Sequence, residues 1–331
     1  MAAALLFVCL HRNASGQNIN GAGATFPYPI YSKWFSEYNR LHPEVKINYQ
    51  SIGSGGGIRQ VSDGIIDFGA TDSPMSDQLI ASARVKTAHI PTVLGAIVPI
   101  YNVPGVHKNL NFSGDVIADI YLKRITRWND PRIVRDNPGV ALPDQPILAV
   151  YRSDGSGTTF ILTDYLAKVS NDWQTMVGRN TAVRWRTGVG QKGNEGVAGM
   201  VRQSPYSFGY VELIYAVRNN MSFGAVKNQA GKFVTASIGS TTAAAAASMK
   251  GMPPDFRISI TNAPGENSYP IVSFTWLLVP LQSRDSAKAD SMKGFLNWML
   301  EHGESEASAQ SYAPLPKEMM DPIRRITAQL R

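Results

Sequence analysis

Twice in this chain a strand-like run is followed by a glycine-rich turn bearing a hydroxyl residue, and then by a short stretch with the apolar spacing of a helix. Residues 45–49 form the first run, Gly53-Ser54-Gly55-Gly56-Gly57 the turn, and Ile58 and Val61 the inward side of the helix. Residues 65–70 then read as a further buried strand ending at Thr71-Asp72. In the middle of the chain the pattern returns as residues 147–151, Asp154-Gly155-Ser156-Gly157-Thr158, and a helix with Ile161, Leu162, Tyr165 and Leu166 inward. Strand, turn, helix, strand is the order of an α/β protein whose helices cover a sheet with parallel pairs. Two separate copies imply two lobes, and 331 residues with 44% apolar content suffice for two hydrophobic cores.

Other segments fit the same class. From Asn18 an apolar, glycine-rich stretch leads through Ala24-Thr25-Phe26-Pro27 to Tyr31, Trp34, Phe35 and Tyr38, spaced as one face of a helix with Pro29 in its first turn. Residues 194–202 and 243–247 read as helical and 208–211 as a strand. Met292, Phe295, Leu296, Met299 and Leu300 predict an amphipathic helix stopped by Gly303. The extended segments 92–101 and 271–279 are candidates for crossing between lobes. The domain organisation expected is therefore a segment 1–16, a first lobe from 18–96 plus 271–331, and a second lobe from 97–270.

Residues 2–10 are almost wholly apolar, and small residues at Ala14 and Gly16 suit signal-peptidase cleavage after Gly16. No basic residue precedes this run, so the signal is expected to be cut short; a mere N-terminal extension is the competing reading. At about nine residues it is too short to span a bilayer, which needs about 20, and no stable membrane insertion is expected. Cys9, the single cysteine, falls inside this segment, leaving none in a mature chain. The net charge of +7 is scattered, with Lys123-Arg124 and Arg324-Arg325 the only basic doublets, so nucleic acid is not an expected partner. His11, His42, His89, His107 and His302 show no metal-ligand spacing. No cofactor is called for.

An oxyanion is held by replacing its hydration shell with many donors, and helix N-termini supply them because their first N–H groups have no intrahelical partner. The turns at Thr25 and Phe26, at Ser54, and at Ser156, Gly157 and Thr158 each stand before a helix and each offer a hydroxyl. Any one alone is equally an ordinary turn or N-cap. Arg152 adds a forked donor, with Asp154 two residues on to orient it. Asp72, at the end of a strand, reads equally as a turn residue or as an acceptor. Phosphate near neutral pH keeps a proton to donate to it, whereas sulfate is fully ionised and would leave the carboxylate unmatched.

On these residues the chain resembles the periplasmic phosphate-binding proteins of the phosphate-specific ABC transporter. The likeness lies in Gly21-Ala22-Gly23-Ala24-Thr25-Phe26-Pro27, Tyr49-Gln50-Ser51-Ile52-Gly53-Ser54-Gly55-Gly56-Gly57, Asp67-Phe68-Gly69-Ala70-Thr71-Asp72 and Arg152-Ser153-Asp154-Gly155-Ser156-Gly157-Thr158. It continues through Gly193-Asn194-Glu195-Gly196-Val197, Gly209-Tyr210-Val211-Glu212 and Tyr312-Ala313-Pro314-Leu315-Pro316. The resemblance implies a two-lobed periplasmic-binding-protein fold of type II, each lobe a mixed sheet flanked by helices, joined by a two-strand hinge. It implies inorganic phosphate bound by Thr25, Phe26, Ser54, Asp72, Arg152, Ser156, Gly157 and Thr158, with Asp154 behind Arg152. Its partners would be the permease and ATPase of an ABC transporter, its compartment the periplasm and its form a monomer. Gly55 departs from the pattern, since better-known members often carry a second serine there.

Two other function classes remain open on sequence. A phosphatase or phosphotransferase would use Ser54 or Ser156 as nucleophile, but neither sits in a Gly-x-Ser-x-Gly frame and no histidine is near in sequence, so no enzyme is expected. A sensing or adhesion receptor would need the same pocket without a transporter.

Overall fold

The computed structural model describes residues 17–106 and 108–331; the apolar run 2–10, Cys9 and the cleavage point after Gly16 lie outside them. The chain opens with strand β1 (Gln17–Gly23), helix α1 (Tyr28–Leu41), β2 (Val45–Ser51), α2 (Ser54–Ser62) and β3 (Phe68–Thr71). Strand β4 (Thr87–Asn102) follows, then β5 (Leu148–Arg152), α3 (Gly157–Val169), β6 (Val189–Gln191), α4 (Gly193–Gln203) and β7 (Ser207–Glu212). Near the end come β8 (Val272–Pro280) and α5 (Ser286–Trp298).

Strand pairing runs β2-β1-β3-β8-β4-β7-β5-β6, with the short strand Ser222–Phe223 also on β4. β1 is parallel to both β2 and β3, and β5 is parallel to both β6 and β7. These two parallel groups meet through antiparallel pairs of β8 with β3 and β4, and of β4 with β7. The 16-residue β4 changes partner along its length: Thr87 to Ala96 pair with β8, Ile97 to Asn102 with β7. Between its end residues β4 is buried at every position, as expected of a strand covered on both faces.

Each parallel group has its own aromatic core. Tyr31, Trp34, Phe35 and Tyr38 all turn inward from α1, and Phe35 and Tyr38 meet Phe295 of α5 at ring-centroid distances of 5.2 and 5.4 Å. The two ends of the chain thus share one core. In the other half Tyr121, Trp128 and Phe208 pack together, with centroids 5.8 Å apart for Tyr121 and Phe208 and 6.3 Å for Trp128 and Phe208. Among the described residues no helix is long and apolar enough to cross a membrane.

Three local expectations change. Residues 65–70 are not one strand: β3 begins at Phe68, because the chain leaves α2 through Gly64 at φ 73 and Ile65 is left exposed. Gly55, Gly56 and Gly57 lie inside the first turn of α2 rather than before it. A Cβ on Gly57 would stand 2.6 Å from the carbonyl oxygen of Ala22, so the helix rests on bare backbone. Gly303 does not stop the last amphipathic helix, since a π-helical turn (Met299–Gly303) and a further turn (Glu304–Ala307) follow α5. Its carbonyl accepts the Trp34 indole N–H at 2.9 Å and its Cα faces the same ring, so this glycine serves close packing.

Gly95 in β4 is another close approach, because a Cβ there would lie 2.5 Å from the Phe26 ring and 2.9 Å from a Glu212 carboxyl oxygen. Gly95→Ala is expected to cost about 1–3 kcal/mol through overpacking, seen as a lower urea midpoint with an unchanged denaturant slope.

Candidate anion-binding site

The turns singled out in the sequence all follow the carboxyl ends of parallel strands, where ligand crevices of open α/β sheets form. β1 leads to Thr25 and Phe26, β2 to Ser54, β3 to Asp72, β5 to Arg152 and the turn before α3, and β6 to the start of α4. Thr25, Phe26, Ser54, Asp72, Arg152, Ser156 and Thr158 are each no more than 3% exposed. A Cβ on Gly157 would stand 2.4 Å from the Ser54 hydroxyl and 2.5 Å from the Asp72 carboxylate. Gly157 at the start of α3 therefore sits directly over residues of the opposite half.

Backbone meets backbone at this seam. The Gly55 amide donates to the Gly155 carbonyl at 2.9 Å, and a Cβ on either residue would lie 3.2 Å from the other's Cα. Glycine at position 55, where the expected pattern has serine, leaves this contact free of a side chain. Gly53 is constrained twice: its φ of 89 favours glycine, and a Cβ would meet the Asp154 carboxylate at 2.4 Å. Outside the seam a cleft of about 660 Å³ opens between the halves, lined by Ile58, Arg59, Leu79, Phe160 and Arg179.

Donors in the site are left available by the way neighbouring acceptors are used. Tyr49, Tyr215 and Tyr312 hydroxyls donate to the carbonyls of Ala24, Thr25 and Phe26 at 2.8, 2.6 and 2.6 Å. The Phe26 N–H has no acceptor among the described residues, and neither do those of Gly157 and Thr158 at the start of α3. The Ser156 hydroxyl accepts from the Thr159 amide at 3.0 Å as N-cap, and the Ser54 hydroxyl accepts from the Asp72 amide at 3.1 Å. The Ser156 hydroxyl keeps its hydrogen to give, whereas that of Ser54 donates to Asp72 Oδ2 at 3.3 Å.

Arg152 is held by the forked pair to Asp154, Nε to Oδ1 at 2.8 Å and Nη2 to Oδ2 at 2.5 Å, and its Nη1 donates to Thr158 at 3.2 Å. Burial alone would raise the Asp154 carboxyl, but the Arg152 hydrogen bonds and charge together with the Gly193 amide outweigh it and hold the group below its ordinary value. Asp72 goes the other way: burial raises it to about 7, against the pull of Thr275, Arg152 and Ser54. Thr275 of β8 donates to Asp72 Oδ1 at 2.8 Å. Burial also pushes the Glu212 carboxyl well above the usual carboxylate range, against the pull of the Ile214 amide.

The profile of the PBP superfamily domain matches residues 11–302. The chain is 44% identical over 306 residues to the phosphate-binding protein PstS of Xylella fastidiosa, covering 92% of this chain and 83% of that protein. It is 42% identical over 330 residues to the phosphate-binding protein PstS of Pasteurella multocida, covering 99% of this chain and 94% of that one. The chain belongs to the PstS family of phosphate-binding proteins. Its fold also matches the solved structure of a high-affinity periplasmic phosphate-binding protein with phosphate bound, at a TM-score of 0.73, 20% identity and 93% coverage of both chains. The two-lobed α/β fold expected from the sequence is thus that of the family.

All eight residues proposed from the PstS-like motifs are brought together, with Asp154 behind Arg152. Among the residues that touch them and were not singled out are Asn194 and Thr275. Asn194, at the start of α4, bonds Thr25 and Thr158, and Thr275 bonds Asp72. The β6 strand ahead of Asn194 has only three residues, too few to show a period, and Thr275 is one of two polar residues, with Ser273, in an apolar run.

Because the Asp72 carboxyl is raised by folding, the native chain holds its proton where the unfolded chain releases it. Its contribution to stability is fully present below pH about 4 and is lost as pH rises through about 7. The unfolding free energy of the wild-type chain minus that of Asp72→Asn is expected to fall over that window in phosphate-free buffer and to stay flat above it, measured by urea denaturation at stepped pH.

Proposed function

We propose that this chain binds inorganic phosphate in the enclosed space between its two halves and delivers it to an ABC-type permease for import. The observation that carries the reading is the combination, in one buried site, of amide and hydroxyl donors from both halves with one tethered guanidinium and one acceptor, Asp72. Phosphate oxygens take the N–H groups of Phe26, Gly157 and Thr158, the hydroxyls of Thr25, Ser156 and Thr158, that of Ser54 once it turns from Asp72, and the Arg152 Nη hydrogens that Asp154 and Thr158 leave unused. Its proton lies between one phosphate oxygen and Asp72. With Asp72 raised to about 7, that proton is shared between acids of similar strength, a balance sulfate cannot enter because it brings none.

A site this buried admits a ligand only when the halves separate. We divide them as 18–96 plus 271–331 and 97–270, hinged on β4 and β8; the change of partner on β4 between Ala96 and Ile97 supports the boundary. The chain acts as an exported monomer, its N-terminal segment 1–16 serving as the signal, in the periplasm, where it meets the permease and ATPase of the transporter. Its relatives carry the names of binding proteins, and neither Ser54 nor Ser156 is hydrogen-bonded to a histidine among the described residues.

Titration calorimetry with phosphate, sulfate and arsenate tests the assignment. Arg152→Ala is expected to weaken phosphate binding by about 2–5 kcal/mol, since it leaves the partly buried Asp154 without its partner; an unchanged affinity places the ligand elsewhere. Asp72→Asn is expected to narrow the preference for phosphate over sulfate by about 1–3 kcal/mol. Adding phosphate to the wild-type chain is expected to lower the radius of gyration in solution scattering, and a constant radius argues against closure.

A further inference from the structure

Asn194 is fully buried at the start of α4, and all its polar side-chain atoms are used. Its Oδ1 accepts the backbone N–H of Glu212 at 3.0 Å. A backbone amide can only donate, so the side-chain orientation is fixed and the NH₂ group must face the other way. There it donates to Thr25 Oγ1 at 2.8 Å and to Thr158 Oγ1 at 3.1 Å. Thr25 also receives the backbone N–H of Asn194 at 3.4 Å, and Thr158 receives Arg152 Nη1 at 3.2 Å.

A hydroxyl carries one hydrogen and two acceptor sites. In both threonines the acceptor sites are taken by N–H groups, so each hydroxyl can act toward a ligand only as a donor. We infer that Asn194 is a positioning residue that sets the direction of these two hydroxyl hydrogens, and thereby fixes which face of the bound anion carries its proton. This rests on the phosphate reading above. An oxygen bearing hydrogen finds no acceptor on the Thr25–Thr158 side, so the ligand proton is confined to the side of Asp72. Thr25 comes from the half containing the chain ends and Asn194 from the half built by the middle of the chain, so the same amide also ties the halves together when closed. Its anchor, Glu212, pairs with Ile97 at the point where β4 takes up its second partner.

Asn194→Asp tests this with little change of shape. A carboxylate accepts both threonine hydrogens, withdrawing two donors from the ligand and adding negative charge beside it. Phosphate affinity by calorimetry at pH 8 is expected to fall about 100-fold or more. The ratio of wild-type to variant affinity is expected to shrink several-fold at pH 5, where the new carboxyl takes up a proton and can donate to one threonine. Arg152, Asp154, Asp72, Glu195, Glu212 and Tyr215, the other titratable groups around the site, are common to both proteins and largely cancel in that ratio. A merely structural defect would lower affinity without this pH signature. Asn194→Ala, the second variant, is expected to lose about tenfold or more in affinity, mostly through faster release in stopped-flow measurements. Either variant binding phosphate within threefold of wild type at pH 8 overturns the inference, and so does an Asp variant whose deficit is the same at both pH values. Should Asn194→Asp fail to fold, the affinity and release rate of Asn194→Ala decide. A wild-type chain that binds no phosphate would instead refute the underlying function.

Discussion

Gly55 and Gly155 approach until an amide of one half donates to a carbonyl of the other at 2.9 Å, with no side chain between them. Only this contact distance lets Gly157 lie over Ser54 and Asp72, and lets Asn194 reach across to Thr25. The glycines in these turns are therefore less about flexibility than about thickness. Each methyl group added at the seam would hold the halves apart and lengthen hydrogen bonds whose strength falls steeply with distance and angle.

Charge in the site is kept close to balance rather than made strongly positive. Arg152 is matched by Asp154, burial pushes the Glu212 carboxyl well up, and burial raises that of Asp72 to about 7. A dehydrated anion is stabilised here mainly by oriented N–H and O–H dipoles, which can be aimed at individual oxygens. A cluster of cations would attract any oxyanion alike, whereas fixed dipoles with one acceptor distinguish guests by where their hydrogens are. The overall charge of +7 belongs to the surface and can hasten the arrival of small anions without choosing among them.

Much of this was legible in the sequence. Tyr31, Trp34, Phe35 and Tyr38 announced α1 because an amphipathic helix on a sheet has a strong period, and Ser54, Arg152 and Ser156 stood out because small hydroxyl-bearing turns before helices are where backbone donors gather. The strand order was hidden, since β8 is drawn from the far end of the chain to lie between β3 and β4, a fact no local pattern carries. Gly303 misled because a glycine chosen for contact with Trp34 looks, in sequence, like one chosen to end a helix. Asn194 and Thr275 were missed for a related reason: each is a single polar residue whose partners are brought to it only by the closed tertiary structure.

The placement of β8 has a consequence for how the molecule is made. Until residues 272–280 have been synthesised, β3 and the first ten residues of β4 have no partner on their facing edges, whereas β4 through β7 already provide a complete pairing for the middle of the chain. The half that begins first must finish last. A nascent chain of this kind carries two open, apolar strand edges for most of its synthesis, the sort of surface that invites association with other chains. Arrival of residues 272–280 then seals both edges with a single strand, so the sheet is completed only late in synthesis.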